Sequence, residues 1–239
     1  WSSDVCSSDL GDYKNYGKII VETGSVLNIG GNLNPVGNVS VGSETVEIVG
    51  TPTFTRTSAL TITTGTFRWS GSTAPYITSL NGSINLGEGN LIALNSKILL
   101  GLSVSLHTLA DTNYNISCAG FEASSTSILF APTTGKITIT GHPTGQPSPI
   151  IMASGRKFYN LDINSVSGAR LESTPIICSG SVNCRSGRLD LNHKNLRSSM
   201  GVSLYSGAYL EVDEGAYLQL AAAKTLTVEA GGHLECHTA

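Results

Sequence analysis

Residues 199–238 read SMGVSLYS GAYLEVDE GAYLQLAA AKTLTVEA GGHLECHT, five octads in direct succession. The fourth and sixth positions are Val202/Leu204, Leu210/Val212, Leu218/Leu220, Leu226/Val228 and Leu234/Cys236. Apolar residues two apart share one face of a strand, and the residue between them takes the other. Glu211, Gln219, Thr227 and Glu235 are therefore expected outward, and Leu204, Leu210, Val212, Leu218, Leu220, Leu226, Val228 and Leu234 inward and buried. Two or three residues remain for each bend. Ser206-Gly207, Glu214-Gly215 and Gly231-Gly232 suit that role because glycine tolerates positive φ.

The doublet recurs less regularly upstream as Leu27/Ile29, Val39/Val41, Val46/Ile48, Leu60/Ile62, Ile84/Leu86, Ile98/Leu100, Val104/Leu106, Ile137/Ile139, Leu161/Ile163 and Leu189/Leu191. Short strands at close spacing indicate a solenoid or another all-β array. Two architectures can use an octad. In a parallel β-helix each octad is one side of a three-sided coil, so a residue stacks on one roughly 24 positions away at the ~4.8 Å strand spacing. Leu210 then sits beneath Leu234, and Val202 beneath Leu226. In an antiparallel meander or sandwich array, neighbouring octads pair through hairpins that favour Asn-Gly or Asp-Gly. Asn81-Gly82 is the exception among turns that lack such dipeptides, and the Ala221–Lys224 bend offers no residue suited to positive φ. The parallel β-helix is the preferred fold and the antiparallel array the alternative.

Composition agrees with an extended β protein. Only 13% of residues are charged, about half the usual ~25%, while apolar residues reach 40%, enough for a continuous core. The first ten residues, WSSDVCSSDL, share no periodicity with the rest, and their back-translation resembles a short-read sequencing adapter. Trp1–Leu10 are therefore set aside as an artefact joined to a β-solenoid fragment over 11–239, and the lack of a signal peptide carries no information. Without Asp4 and Asp9 the acidic count falls from 17 to 15 (17 − 2) against 14 basic residues. Such a balance, with no Lys/Arg cluster, argues against nucleic acid as a partner. No apolar run reaches the length of a membrane span. The Pro-rich GHPTGQPSP, with Pro143, Pro147 and Pro149, lacks backbone donors and is expected to leave the sheet, which makes 142–149 a candidate module boundary.

FYNLDIN at 158–164, SGSVNCRSGRLDLN at 179–192 and the following Leu196 together resemble the repeat module of large bacterial secreted or cell-surface proteins, often exported by the type IX route. SILFAPTTGKITITG (127–141) resembles the strand pair preceding that module, and ALTITTGTFRWSG (59–71) is a looser copy. Cys184 and Arg185 depart from the usual Thr and Leu. The resemblance implies a right-handed parallel β-helix of the pectin-lyase-like or haemagglutinin-like kind, an extracellular or bacterial cell-surface location, and an adhesin or stalk role.

The same fold hosts polysaccharide lyases and hydrolases, which need paired carboxylates. The Asn-Thr-Asp, Asp-Asp, Gly-His-Gly and Arg-Ile-Lys signatures of the β-helical pectinases are absent. Asp162 and Asp190, in LDI and LDL, are expected to face solvent. Tyr209, Glu211 and Asp213 alternate onto one outward face, with Tyr217 and Gln219 one octad later; these five are the candidate binding residues, a sugar platform, a weak Ca²⁺ site or an ordinary solvated face. His233, Cys236 and His237 form HxxCH, which has zinc-competent ligands but lacks a second pair, and Cys236 occupies an inward slot. No catalytic residue, metal site or cofactor is assigned. Cys178 and Cys184 are candidates for a bridge that spacing alone does not establish.

The expectation is a non-enzymatic structural or adhesive segment whose partners are glycans or cell-surface and matrix components. A β-helix polysaccharide lyase or glycoside hydrolase, or a ligand-free spacer, is the alternative. Open edges at both ends are expected to favour end-to-end self-association.

Overall fold

A computed structural model describes residues 13–15, 18–21, 26–35, 37–54, 59–71, 77–80, 83–100, 108–111, 114–125, 129–130, 134–173 and 175–237. Trp1–Leu10 and the Val104/Leu106 doublet lie outside them. The described residues contain strands and no helix, so no helix is long and apolar enough to cross a membrane. The strands pair in parallel and form a β-solenoid of about 8 turns.

Each turn supplies strands to three faces. The first face stacks Val26–Ile29, Thr45–Ile48, Thr66–Trp69, the start of Asn90–Leu100, the start of Asn115–Ala123, Lys136–Ile139, Asn160–Asn164, the start of Ser181–Asp190, Gly201–Leu204 and Leu226–Val228. The second face includes Ile77–Leu80, the later parts of those three long strands, Ser148–Met152, Ala169–Leu171, Ala208–Val212 and His233–Cys236. The third carries Lys18–Val21, Asn38–Val41, Ala59–Ile62, Ser83–Gly87, Thr108–Asp111 and Leu129–Phe130, then Ile176–Cys178, Leu196–Ser198 and Leu218–Leu220.

The octads stack as the parallel reading requires: Leu210 pairs with Leu234 and Val202 with Leu226, while neighbouring octads go to different faces. Inward doublets make continuous columns. Along the first face, for example, Val46, Phe67, Leu91, Ile116, Ile137, Leu161, Val182 and Val202 are all buried. Burying such a side chain contributes about 1.5–3 kcal/mol relative to exposure. Side-chain volumes complement one another between coils. Trp69 pairs with Ala93 on one side and Ile48 on the other, and Phe67 packs edge-on against both Trp69 and Phe54 with ring centroids 5.9 Å apart. A small residue beside the largest one preserves close packing.

The terminal coil departs from the expected burial. Leu204 and Leu210 are buried, Val212, Leu218, Leu220 and Leu226 are half-buried, and Val228 and Leu234 are 45% and 44% exposed. Their side chains occupy the inward slots of the register, but no described strand covers the far side of 226–228 and 233–236. Burial in a solenoid comes from both neighbouring coils, and these strands have one.

Corners also differ from expectation. The first position of each of the last four octads turns the chain in the left-handed region: Gly207, Gly215 and Gly231 have φ of 78°, 75° and 82°, and Ala223 joins them at 60°. Alanine therefore adopts the conformation the sequence reading denied it, because the corner geometry repeats whatever residue occupies it. Asn90–Leu100, Asn115–Ala123 and Ser181–Asp190 run around a corner instead of ending there, with register shifts between Ala93 and Lys97 and between Ile163 and Asn164. Gly187 lies on one such corner at φ 68°, where a Cβ would fall 1.9 Å from the Ser165 carbonyl oxygen. After the exposed loop 143–147, Pro149 lies within Ser148–Met152, paired with Arg170.

Candidate functional site

The site is built on the outer surface of the second face. Parallel register places Pro149, Arg170, Asp190, Glu211 and Glu235 in one outward row. Arg188, Tyr209 and His233 form a second row beside it. Three carboxylates in successive coils, about 4.8 Å apart along the row, repel unless cations intervene. The arginines provide this. Arg170 Nε donates to Asp190 Oδ2 at 2.7 Å, and Arg188 Nη1 donates to Glu211 Oε2 at 2.8 Å with Nη2 3.9 Å from Glu235. The hydrogen bond from Arg170 to Asp190, reinforced by the carboxylate charge, holds that guanidinium above its ordinary pKa.

A corner from the preceding coil adds polar groups. Asn192 and His193 both turn at positive φ, 47° and 56°. The Asn192 backbone N–H donates to Asp190 Oδ1 at 2.7 Å, and its side-chain amide donates to the Leu171 carbonyl at 2.9 Å. The His193 backbone N–H donates to Asp213 Oδ2 at 3.3 Å, and its Nδ1 lies 2.9 Å from the Glu214 carbonyl oxygen, which can only accept. From the following coil, His237 Nε2 lies 3.1 Å from Glu211 Oε1 and 3.7 Å from Glu235 Oε1. Glu211, Asp213 and His237 thus bring three metal-competent atoms within 4.8 Å of one another.

Together these groups line an open groove of about 370 Å³. Arg170, Arg188, Asp190, Asn192, Glu211 and Asp213 supply its charged and amide surface, and His193 and Pro147, the latter from the Pro-rich loop, also line it. Beside it, Tyr209 and His233 stack at 4.6 Å and 10°.

The five residues singled out from the sequence divide between two faces. Tyr209, Glu211 and Asp213 lie at or beside the groove. Tyr217 and Gln219 are around the Glu214–Gly215 corner on the third face, where Tyr217 Oη accepts a hydrogen bond from Arg197 Nη2 at 2.8 Å and Gln219 pairs with Arg197. Arg170, Arg188, Asn192 and His193 were not singled out, because they belong to earlier coils and only the offset of 20 to 23 residues between paired positions brings them in.

Asp162 contradicts the expectation that it faces solvent. It points outward from its strand yet is 1% exposed, because longer side chains fold over it. Asn183 Nδ2 donates at 2.8 Å, Arg185 Nε at 2.9 Å, and Lys136 Nζ lies 3.7 Å away. Arg185 also lies over the Tyr205 ring, 4.9 Å from its centroid, and the bond to Asp162 raises its pKa. Asp190 is likewise 9% exposed instead of solvated. In HxxCH, His237 turns outward to Glu211 while Cys236 stacks on Val212 in the inward register. Cys178 and Cys184 are free and buried, on the third and first faces. Burial pushes the thiols of Cys118 and Cys184 up to about 12, and that of Cys178 higher still. Compared with known proteins, the chain matches no family model, no curated sequence and no solved structure.

Proposed function

We propose that the chain is a structural and adhesive segment of a bacterial secreted or cell-surface repeat protein. It holds a stacked scaffold and presents outward side chains, coil after coil, to glycans or matrix components. The observation that carries this reading is the contrast between the inside and outside of the solenoid. Inside, aliphatic columns run from coil to coil. Outside, Arg170–Asp190, Arg188–Glu211, Arg185–Asp162 and Lys97–Glu122 pair across coils. Such cross-coil pairs fix the outward side chains in place and give a preorganised surface, on which shallow contacts repeated along a rod gain strength by multivalency. Against a polysaccharide-cleaving enzyme, Asp190 and Glu211 each already engage an arginine.

The test is binding of the purified chain, clustered on beads, to a glycan array and to matrix proteins. Retention that rises steeply with bead valency supports the reading. No binding to either surface at any valency sinks it and leaves the ligand-free spacer.

A further inference from the structure

We infer that the groove between Arg170 and Asp213 is a binding site for a neutral, hydroxyl-rich oligosaccharide lying along the solenoid axis. This rests on the adhesive reading and gives it a place and a ligand class. A cleft with convergent polar groups is the ordinary form of a small-ligand site, and three features of this one select a sugar.

The first is the mixture of donors and acceptors. Asp190, Glu211 and Asp213 offer carboxylate oxygens, whereas Arg170, Arg188 and Asn192 offer N–H groups within the same 370 Å³. A sugar hydroxyl both donates and accepts, so it can insert between such neighbours without leaving either unpaired. The second is the planar pair beside the cleft. Tyr209 stacks on His233, which covers one face of its ring, and remains 38% exposed, so a sugar beside the cleft meets the ring carbons and hydroxyl that the stack leaves open. The third is repeat distance. Outward groups recur at the ~4.8 Å spacing of the coils, close to the advance of one pyranose unit in an extended chain, so successive rings meet successive coils.

Charge decides between neutral and acidic saccharides. The lining holds two arginines and three carboxylates, a formal balance of −1 (2 − 3) between them, and both arginines already face carboxylates. Glu235 and the Glu211 row extend the acidic column to the next coil. A uronate polymer therefore meets repulsion that a neutral chain does not.

The experiment titrates the full chain calorimetrically with cellohexaose, mannohexaose and hexagalacturonate, then repeats it with Glu211→Ala, Tyr209→Ala and Gln219→Ala. The expected result is saturable binding of at least one neutral hexasaccharide. That binding weakens at least tenfold in Glu211→Ala and Tyr209→Ala, is unchanged in Gln219→Ala on the other face, and exceeds that of hexagalacturonate. Unaltered melting temperatures in the outward variants exclude loss of fold. Sugar binding that survives both groove substitutions overturns the groove while leaving the adhesive reading intact, as does tighter binding of hexagalacturonate. Absence of binding to all three probes, together with glycan-array binding that the groove substitutions leave unchanged, also overturns the groove alone. Absence of binding to any glycan or matrix surface overturns both.

Discussion

Glu211 and Glu235 are direct partners in parallel register, 24 residues apart (235 − 211), both turned outward on the second face. Paired parallel strands lie about 4.8 Å apart, within the Cα separation a disulfide spans. In a Cys236→Ala background, Glu211→Cys with Glu235→Cys is expected to cross-link under mild oxidation. Glu211→Cys with Gln219→Cys, on different faces, is expected to remain reduced. The reverse pattern on a non-reducing gel contradicts the stacked octads.

The same stacking grades the cost of a charge along one column. Leu210→Asp buries an unpaired carboxylate between Leu189 and Leu234, at a cost of several kcal/mol, and is expected to abolish cooperative melting of the last coils. Leu234→Asp, at a position 44% exposed, is expected to lower stability by about 1 kcal/mol or less. Equal losses in chemical denaturation contradict the assignment of the terminal coil.

Corner residues separate strain from crowding. Gly207 has open space around its absent Cβ, so Gly207→Ala meets only the left-handed backbone cost of about 1–2 kcal/mol. Gly187→Ala adds a collision with the Ser165 carbonyl and is expected to cost several kcal/mol more. Ala223→Gly relieves a strained alanine at φ 60° and is expected to stabilise by up to about 1 kcal/mol. Thermal melts of the three variants check the order, and a destabilised Ala223→Gly breaks it.

Buried thiols set an alkaline limit. Cys118 and Cys184 have folded-state pKa values raised from 9.0 to about 12, so folding favours their neutral form. Their contribution is fully present below pH 9 and is lost as pH rises toward 12, at up to about 1.4 kcal/mol per pH unit for each thiol. The melting temperature is expected to fall across that window, less steeply in Cys118→Ala. At neutral pH, of the four cysteines among the described residues, a thiol reagent is expected to modify exposed Cys236 promptly and buried Cys118, Cys178 and Cys184 only on unfolding.

The inward columns were legible because the period of two is local: Leu161/Ile163 and Leu189/Leu191 announce their face without reference to any other coil. The stacking offset was legible only in the octads. Upstream it ranges from 19 residues between Leu27 and Val46 (46 − 27) to 29 between Phe121 and Ile150 (150 − 121), so no fixed spacing could be projected back. The groove was half visible for that reason. Glu211 and Asp213 lie two residues apart, in and just past the end of Ala208–Val212, whereas Arg170, Arg188 and Asn192 reach them only through offsets of about one coil. Asp162 was misjudged because alternation gives the direction of a side chain from its strand, not what the neighbouring coils lay over it. Arg185, Asn183 and Lys136, from the neighbouring coils, reach over it with their polar ends.

Among the described residues each strand pairs only with strands one coil before or one coil after it, so no pairing joins distant turns. A pull on the end of the chain loads the outermost described coil first. Releasing the 24 residues between Leu210 and Leu234 lets out about 80 Å of extended chain while the coil beneath keeps its own pairing. The solenoid is thus built to yield in instalments under tension, a row of sacrificial loops in series, and each freed coil can re-wind on the intact edge below once the load drops.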